Sequence, residues 1–528
     1  MNVLVEGNHE EVEVKSRFSV LATARRGAVL ASVVLCATQA SGQVTTIESL
    51  GAGGVPGNGW SQDAKFARGD EVIAFASNAN NLVPGDTGGT DIFVRDRAAN
   101  TIVRVSVRAD GTQAPGTHWH PDITPDARFI VWSSDATSLA QPATVGRHIF
   151  LRDRDANGNG IFDEPGHVTV ELISVSGDGT PGNGPSSMPV ISSDGRFIAF
   201  QSDATNLANG DGNGAMDIFV RDRLSGKTTL VSRGLGDQSG AGLSNVPNIS
   251  RDGAYIIFQS NAPDLVAGDT NATTDVFRYA TATGAIETVS VTAEGAPLAG
   301  GSVLGSEAVV GPCLSGDGRH IVFQSTASNA VSGDGNGQID ILAKDMTTGR
   351  VSLISMRANG EQTQFPSVSP TISVDGRFVV FGTQDPLIVP GDTNRRQDMF
   401  LRDRDDDNDG IFDEPSPIKI RRVSVGSDGI QPTLASYGGR ICDDGRCVLF
   451  TTTAGNLVPG DTNGFPDVFH NSLLQFCPAD WDRSDSVDGD DVIAYIVSWD
   501  DGDADLNGSG TTDGDDVILF FFYWDQGC

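Results

Sequence analysis

The stretch SSDGRFIAFQS, residues 192–202, sets a tight polar turn against a short apolar run. Asp-Gly between apolar runs is a strong hairpin signal, because glycine accepts the positive φ such a turn requires. The run recurs as VIAFAS (72–77), FIVWSS (129–134), YIIFQS (255–260), HIVFQS (320–325), FVVFGT (378–383) and CVLFTT (447–452). That makes seven copies, spaced 57 to 69 residues apart. Most follow a turn such as SRDGA, SGDGR or SVDGR, and several turns are preceded by a shorter strand that opens on P-x-I-S.

Downstream of most copies comes a second element, such as DIFVRDR at Asp91 and Asp217, DMFLRDR at Asp398 or DVFHNS at Asp467, and then a further strand such as IVRVSV or TTLVSR. Four short antiparallel strands per repeat cannot cover both their own faces, so radial stacking is the natural solution. The expected fold is all-β, a propeller of seven four-stranded blades over residues 43–476, with a β-sandwich array as the alternative. VTTIESL, from Val44, has the character of a fourth strand and is expected to close the ring on the last blade, which lacks one.

The repeat P-x-I-S-x-DGR-x-I-x-F-x-S resembles that of TolB-like (PD40-type) propellers and covers most of the chain. The resemblance implies the fold, although TolB-like propellers usually have six blades. It leaves function open among docking platforms, accessory domains and catalytic scaffolds.

The 64 glycines and the formal net charge of −33 suit a chain rich in turns, and the charge argues against nucleic acid or an anionic membrane as partner. Residues 1–42 read as a targeting region: Arg25 and Arg26, an apolar run from Gly27 to Ala37, and a small-residue site with Ala40 at −3 and Gly42 at −1. The mature chain is then expected to begin at Gln43, with translation starting near Val14, and to be secreted, at the cell surface or periplasmic. Its apolar run is too short for a permanent membrane span. Export places the cysteines in an oxidising compartment. Cys442 and Cys447 flank a turn and are expected to bridge a hairpin end, Cys477 and Cys528 bracket the C-terminal segment, and Cys313 is left as a buried thiol.

Two blades carry acidic insertions before their last strand, LRDRDANGNGIFDEP (151–165) and LRDRDDDNDGIFDEP (401–415). Oxygens at alternate positions, a turn glycine and a later carboxylate form a calcium-like pattern: Asp155, Asn157, Asn159 and Asp163, then Asp405, Asp407, Asp409 and Asp413. Glu164 or Glu414 could add a ligand. A weaker motif, GDTNG-x-x-D between the second and third strands, occurs in six blades and reads as an Asx-type turn in preference to a cation site.

The C-terminus holds the strongest metal signal. Two tandem copies, 25 residues apart, present Asp480, Asp482, Ser484, the Ser486 carbonyl, Asp488 and Asp491, then Asp505, Asn507, Ser509, the Thr511 carbonyl, Asp513 and Asp516. Apolar residues at helical spacing follow each loop, including Val492, Ile493 and Trp499, then Val517, Ile518 and Trp524. This segment, 477–528, resembles a type I dockerin of the kind that ends in Gly-Cys. The resemblance implies a small α-helical calcium-loop domain, Ca²⁺ as cofactor, and a cohesin-like or other cell-surface partner. A Cys477–Cys528 bridge would stabilise so small a domain by about 4 kcal/mol. Departures from the pattern, notably Asp485 where glycine is usual and the pairs Gly489-Asp490 and Gly514-Asp515, set it apart from cellulosomal dockerins.

Known catalytic motifs are absent: there is no G-x-S-x-G, H-E-x-x-H or phosphate-binding glycine loop. No catalytic residue is assigned. His118 and His120 form the one close histidine pair; strand alternation would put both on one side, and Trp119 and Trp60 would hold similar positions in adjacent repeats. Ordinary packing there is the simpler reading, and a glycan or metal patch the other. Two function classes remain: a non-catalytic recognition or structural propeller carried by a docking tail, and a secreted carbohydrate-active enzyme. Two carboxylates beside an aromatic platform at the mouth would favour the enzyme.

Overall fold

A computed structural model describes residues 43–473, apart from 142–143, 272, 306–310, 406–408, 415–417 and 444. The tail and targeting region lie outside the described residues. Seven four-stranded antiparallel sheets follow one another along the chain. Blade 1 comprises Ser61–Ala67, Val72–Ser77, Asp91–Asp96 and Thr101–Arg104. Blades 2 to 6 repeat the order over residues 118–172, 186–230, 244–288, 302–353 and 367–422. Blade 7 takes three strands from residues 436–472, and its fourth is Val44–Ile47, paired antiparallel from Val44↔Ser472 to Ile47↔Phe469. The chain ends of the ring are thus joined by backbone hydrogen bonds, as expected for the VTTIESL segment. Among the described residues no helix is long and apolar enough to cross a membrane.

The second and third strands are apolar on both faces because each sheet is sandwiched between neighbours. Facing phenylalanines stack within blades, with Phe200 and Phe219 6.0 Å apart and Phe258 and Phe277 5.8 Å apart. Such pairs add about 0.5–1.5 kcal/mol each beyond their buried area.

The polar letters of the repeat are structural. The aspartate opening the third strand is buried and accepts a hydrogen bond from a serine after the fourth. Ser106 meets Asp91, Ser232 meets Asp217, Ser290 meets Asp275 and Ser355 meets Asp340, all at 2.6 Å. Blade 2 substitutes His148 with Ser174. The arginine of the DGR turn forms a two-pronged ion pair with the last aspartate of the third strand, as Arg196 does with Asp222 at 2.9 Å. The hairpin bridge Cys442–Cys447 is formed, and Cys313 is a buried thiol.

The first strand of six blades has a bulge, with register shifts between Gln62 and Lys65, Trp119 and Asp122, Ser187 and Val190, Asn245 and Asn248, Val368 and Thr371, and Tyr437 and Arg440. The bulged residues Asp63, His120, Met188, Val246, Ser369 and Gly438 all have positive φ, from 52° to 67°. In four of these blades a proline follows directly (Pro121, Pro189, Pro247, Pro370). A bulge is where a strand tolerates a residue without an N–H.

Candidate functional site

The bulge re-aims the inner strand, and the residue two places after it falls at one equivalent position in each blade. These residues are Lys65, Asp122, Val190, Asn248, Thr371 and Arg440. Blade 5 reaches the position differently. Other blades take five steps from the residue that opens the first strand to the apolar residue that ends the bulged segment (Ser244 to Ile249), but blade 5 takes twelve (Ser302 to Leu314). Cys313 completes the ring, its carbonyl accepting the Val322 N–H.

Two cavities meet at this ring. The larger, about 140 Å³, is lined by Lys65, Asp122, Asn248 and Arg440 together with apolar residues of the inner strands. The smaller, about 30 Å³, is bounded by Asp63, Lys65, His120, Met188 and Arg440. Lys65 Nζ lies 3.9 Å from Asp122 Oδ1, while Asp122 Oδ2 accepts the Ile191 N–H at 2.9 Å. Burial pushes the Asp63 and Asp122 carboxyls up, and the charges of Lys65 and Arg440 oppose that shift. Burial likewise lowers Lys65 and Arg440. At one mouth Arg251 and Asp443 form an ion pair.

Cys313 is no nucleophile. Its Sγ lies within 3.3–3.5 Å of the Leu304, Gly311 and Pro370 carbonyls, and burial pushes the thiol up to about 12. Reactive cysteines need the opposite shift. Asp70, Cys447 and His470 also come close together. There Cys447 is oxidised, and the ring nitrogens of His470 face Arg97 at 3.1 Å and Asp70 at 3.3 Å.

The structure corrects the histidine-pair expectation. The bulge at His120 breaks alternation, so the two rings part. His118 is fully buried, accepts the Trp132 Nε1–H at 3.2 Å and sits 3.7 Å from Asp91. His120 lines the smaller cavity. Trp60 and Trp119 are not equivalent either: Trp60 precedes Ser61, whereas Trp119 follows His118, the residue matching Ser61 in register. Trp119 carries Arg147 over its ring at 4.3 Å, so no aromatic platform is formed by the pair.

The two acidic insertions sit in their expected hairpin loops. Asp155 Oδ1 and Oδ2 accept the N–H groups of Asn159 (3.0 Å) and Gly160 (2.8 Å), and Asp405 does the same for Asp409 and Gly410, both at 3.1 Å. Glu164 draws the Asn157 and Asn159 amides together, at 3.3 and 2.7 Å. The closing aspartates turn elsewhere. Asp163 pairs with Arg152 at 3.0 Å and Arg154 at 2.8 Å, and Asp413 with Arg404 at 2.7 Å and Arg402 at 3.5 Å. Arginine therefore supplies the positive charge at both. Asp407 and all twelve tail ligands lie outside the described residues.

The GDTNG loops are Asx turns: Asn213, Asn336, Asn394 and Asn463 Oδ1 each accept the N–H two residues on, at 2.7–2.8 Å. The axial ring was hidden from a strand-by-strand reading. Its one sequence signal was the proline at a fixed place inside the inner strand, which marks the bulge.

No protein-family model matches the chain, and no curated protein matches it. Among solved structures it is similar to an oligogalacturonate lyase in complex with manganese, at 12% identity and a TM-score of 0.46, over 82% of this chain and 97% of that one. A chain described as TolB of Agrobacterium tumefaciens is similar at 16% identity and a TM-score of 0.36, over 72% and 97%. Hydrazine synthase of Kuenenia stuttgartiensis follows at 12% and 0.37, over 77% and 94%. Likenesses at this level say nothing of activity. The strands themselves establish the architecture: the chain is a seven-bladed propeller of four-stranded blades, closed by its own N-terminal strand.

Proposed function

We propose that this chain is an exported, calcium-binding recognition or structural propeller, joined to an extracellular or cell-surface assembly through its C-terminal dockerin-like module. The observation that carries the non-catalytic reading is the filled axis. A cavity of about 140 Å³, crossed by Lys65, Asp122 and Arg440, is well below the roughly 300–1,000 Å³ usual for small-molecule sites. Its charges are compensated, and Phe66 is the one aromatic residue lining it. Recognition then belongs to the loops at the propeller faces. In this reading the tail loops take calcium through Asp480–Asp491 and Asp505–Asp516. The hairpin loops take it with Glu164 and Glu414 in place of the arginine-bound Asp163 and Asp413.

One observation favours the second reading, a polysaccharide hydrolase or lyase. Asp63 and His120 share the smaller cavity with Lys65 and Arg440, a set able to move a proton. The deciding experiment incubates the mature chain, and a variant with Asp491→Ala and Asp516→Ala, with envelope and secreted fractions of the producing cell in calcium and in EDTA. Capture of one discrete protein, lost in EDTA and in the variant, supports docking. Release of reducing or unsaturated sugars from polysaccharides, abolished by Asp63→Asn, would sink the non-catalytic reading.

A further inference from the structure

In blades 1 and 6 two aspartates at the loop between the second and third strands meet an arginine from the fourth strand. Arg104 Nη1 lies 3.1 Å from Asp86 Oδ1 and 3.6 Å from Asp91 Oδ2. Arg422 Nη2 lies 3.4 Å from Asp392 Oδ1, and its Nε 3.8 Å from Asp398 Oδ2. These four carboxylates are at most 2% exposed, so each pair is neutralised out of contact with solvent. Arg104 pairs in register with Phe93, and Arg422 with Phe400.

Blades 3, 4 and 5 keep the two aspartates and lose the arginine. The residues in register are Leu230 opposite Phe219, Thr288 opposite Phe277 and Leu353 opposite Leu342. The carboxylates that repel one another are Asp211 with Asp217, Asp269 with Asp275, and Asp334 with Asp340. Asp217, Asp275 and Asp340 are 0%, 1% and 2% exposed. Each gives one oxygen to its serine, and the Oδ2 of each is buried with no hydrogen-bond partner, as is Asp211 Oδ1. The nearby amides divide their two N–H groups: Asn213 Nδ2 donates to the Gly240 carbonyl at 2.8 Å and Asn271 Nδ2 to the Leu298 carbonyl at 3.2 Å, while each also interacts with its own aspartate, Asp217 or Asp275. Asn336 Nδ2 reaches Asp340 on its other oxygen, at 3.2 Å. A buried carboxylate oxygen without a partner is costly, and a second carboxylate beside it raises that cost.

We infer that blades 3, 4 and 5 each hold a hard divalent cation, calcium, between these two aspartates, in the place that the arginine guanidinium fills in blades 1 and 6. The donors are all oxygen, which suits calcium over softer metals. With two carboxylates per ion the sites belong to the weak class of extracellular modules, with Kd about 10⁻⁴–10⁻³ M. The Asx turn and the ion are compatible, since the turn uses the asparagine Oδ1 and the ion would use the aspartate carboxylates.

Equilibrium dialysis of the full chain against about 2 mM calcium, above that affinity range, counts the bound ions. Leu230→Arg, which copies blades 1 and 6, should bind one ion fewer than the parent, and so should Asp217→Asn. Arg422→Leu should bind one more. The tail and hairpin loops are untouched in all three, so these differences stand whether or not the docking reading holds. Unchanged counts in folded Leu230→Arg and Arg422→Leu would overturn the assignment, and would mean that each pair shares a proton instead. If Leu230→Arg does not fold, Arg422→Leu decides alone.

Discussion

Gly253, in the first turn of blade 4, faces the ring of Phe197 in blade 3 so closely that a methyl group there would lie 2.6 Å from Phe197 Cδ2. The same ring carries the Arg196 guanidinium at 4.5 Å. Gly253 also has φ +70°. The glycine of the DG turn therefore serves twice, shaping its own hairpin and admitting the neighbouring blade. Gly318 with Tyr255 and Gly376 with His320 repeat the contact around the ring.

Gly253→Ala should destabilise the propeller by about 2–4 kcal/mol, combining backbone strain with an overpacked contact. Gly179 has φ +86° and nothing within 4 Å, so Gly179→Ala should cost only about 1 kcal/mol. Urea denaturation midpoints of the two variants separate blade packing from turn geometry. Equal losses would refute the packing role.

His320 stands where blades 2, 3 and 6 place Phe129, Phe197 and Phe378. It packs against Phe412 at 5.1 Å, and burial pushes it down to about 4. Arg404 and Arg319 reinforce the shift, while Asp345 and Asp317 oppose it. Between pH 6.5 and 4 the unfolded chain takes up a proton that the folded chain refuses. The neutral histidine's contribution is thus whole above pH 6.5 and is lost as pH falls toward 4, by about 2–3 kcal/mol. His320→Phe should flatten the pH dependence of stability over that window relative to the parent. Parallel slopes would show that the proton uptake lies elsewhere.

At the axis, Arg440→Met leaves Asp63 and Asp122 with Lys65 as the remaining cation among the residues lining the two cavities, apart from His120 and the mouth arginine Arg251. Removing one partner from a buried charge cluster costs about 3–5 kcal/mol. Calorimetry should show a matching drop in Tm, partly restored when Asp63→Asn is added, because the two losses are coupled. Additive losses would place the two residues in separate environments.

Ring closure rests on Val44–Ile47 and on the Ser49 hydroxyl bound to Asp467. Deleting residues 43–50 should abolish the single cooperative unfolding transition, since blade 7 then exposes an open edge. Ser49→Ala alone should cost about 1–2 kcal/mol by leaving Asp467 short of a donor. A cooperative transition retained after the deletion would show that blade-to-blade packing closes the ring by itself.

Repeat spacing, Asp-Gly turns and the stray N-terminal strand were legible in the sequence because they are local, and a four-stranded unit has few ways to cover its faces. Blade number, ring closure, the Cys442–Cys447 bridge and the buried Cys313 follow from that reading. His118 and His120 show its limit. Their separation comes from a one-residue bulge, which reverses every later side chain while leaving the apolar pattern intact. Asp163 and Asp413 show another: calcium-like spacing says where oxygens fall along a loop, but Arg152, Arg154, Arg402 and Arg404 decide what neutralises them. Leu230, Thr288 and Leu353 mean nothing as letters until register sets them opposite Arg104 and Arg422. What the sequence determined alone was the repeat and its number. Which charges meet, and which stay unmet, was decided by tertiary structure, because Coulomb energy and desolvation depend on distances between residues far apart in the chain.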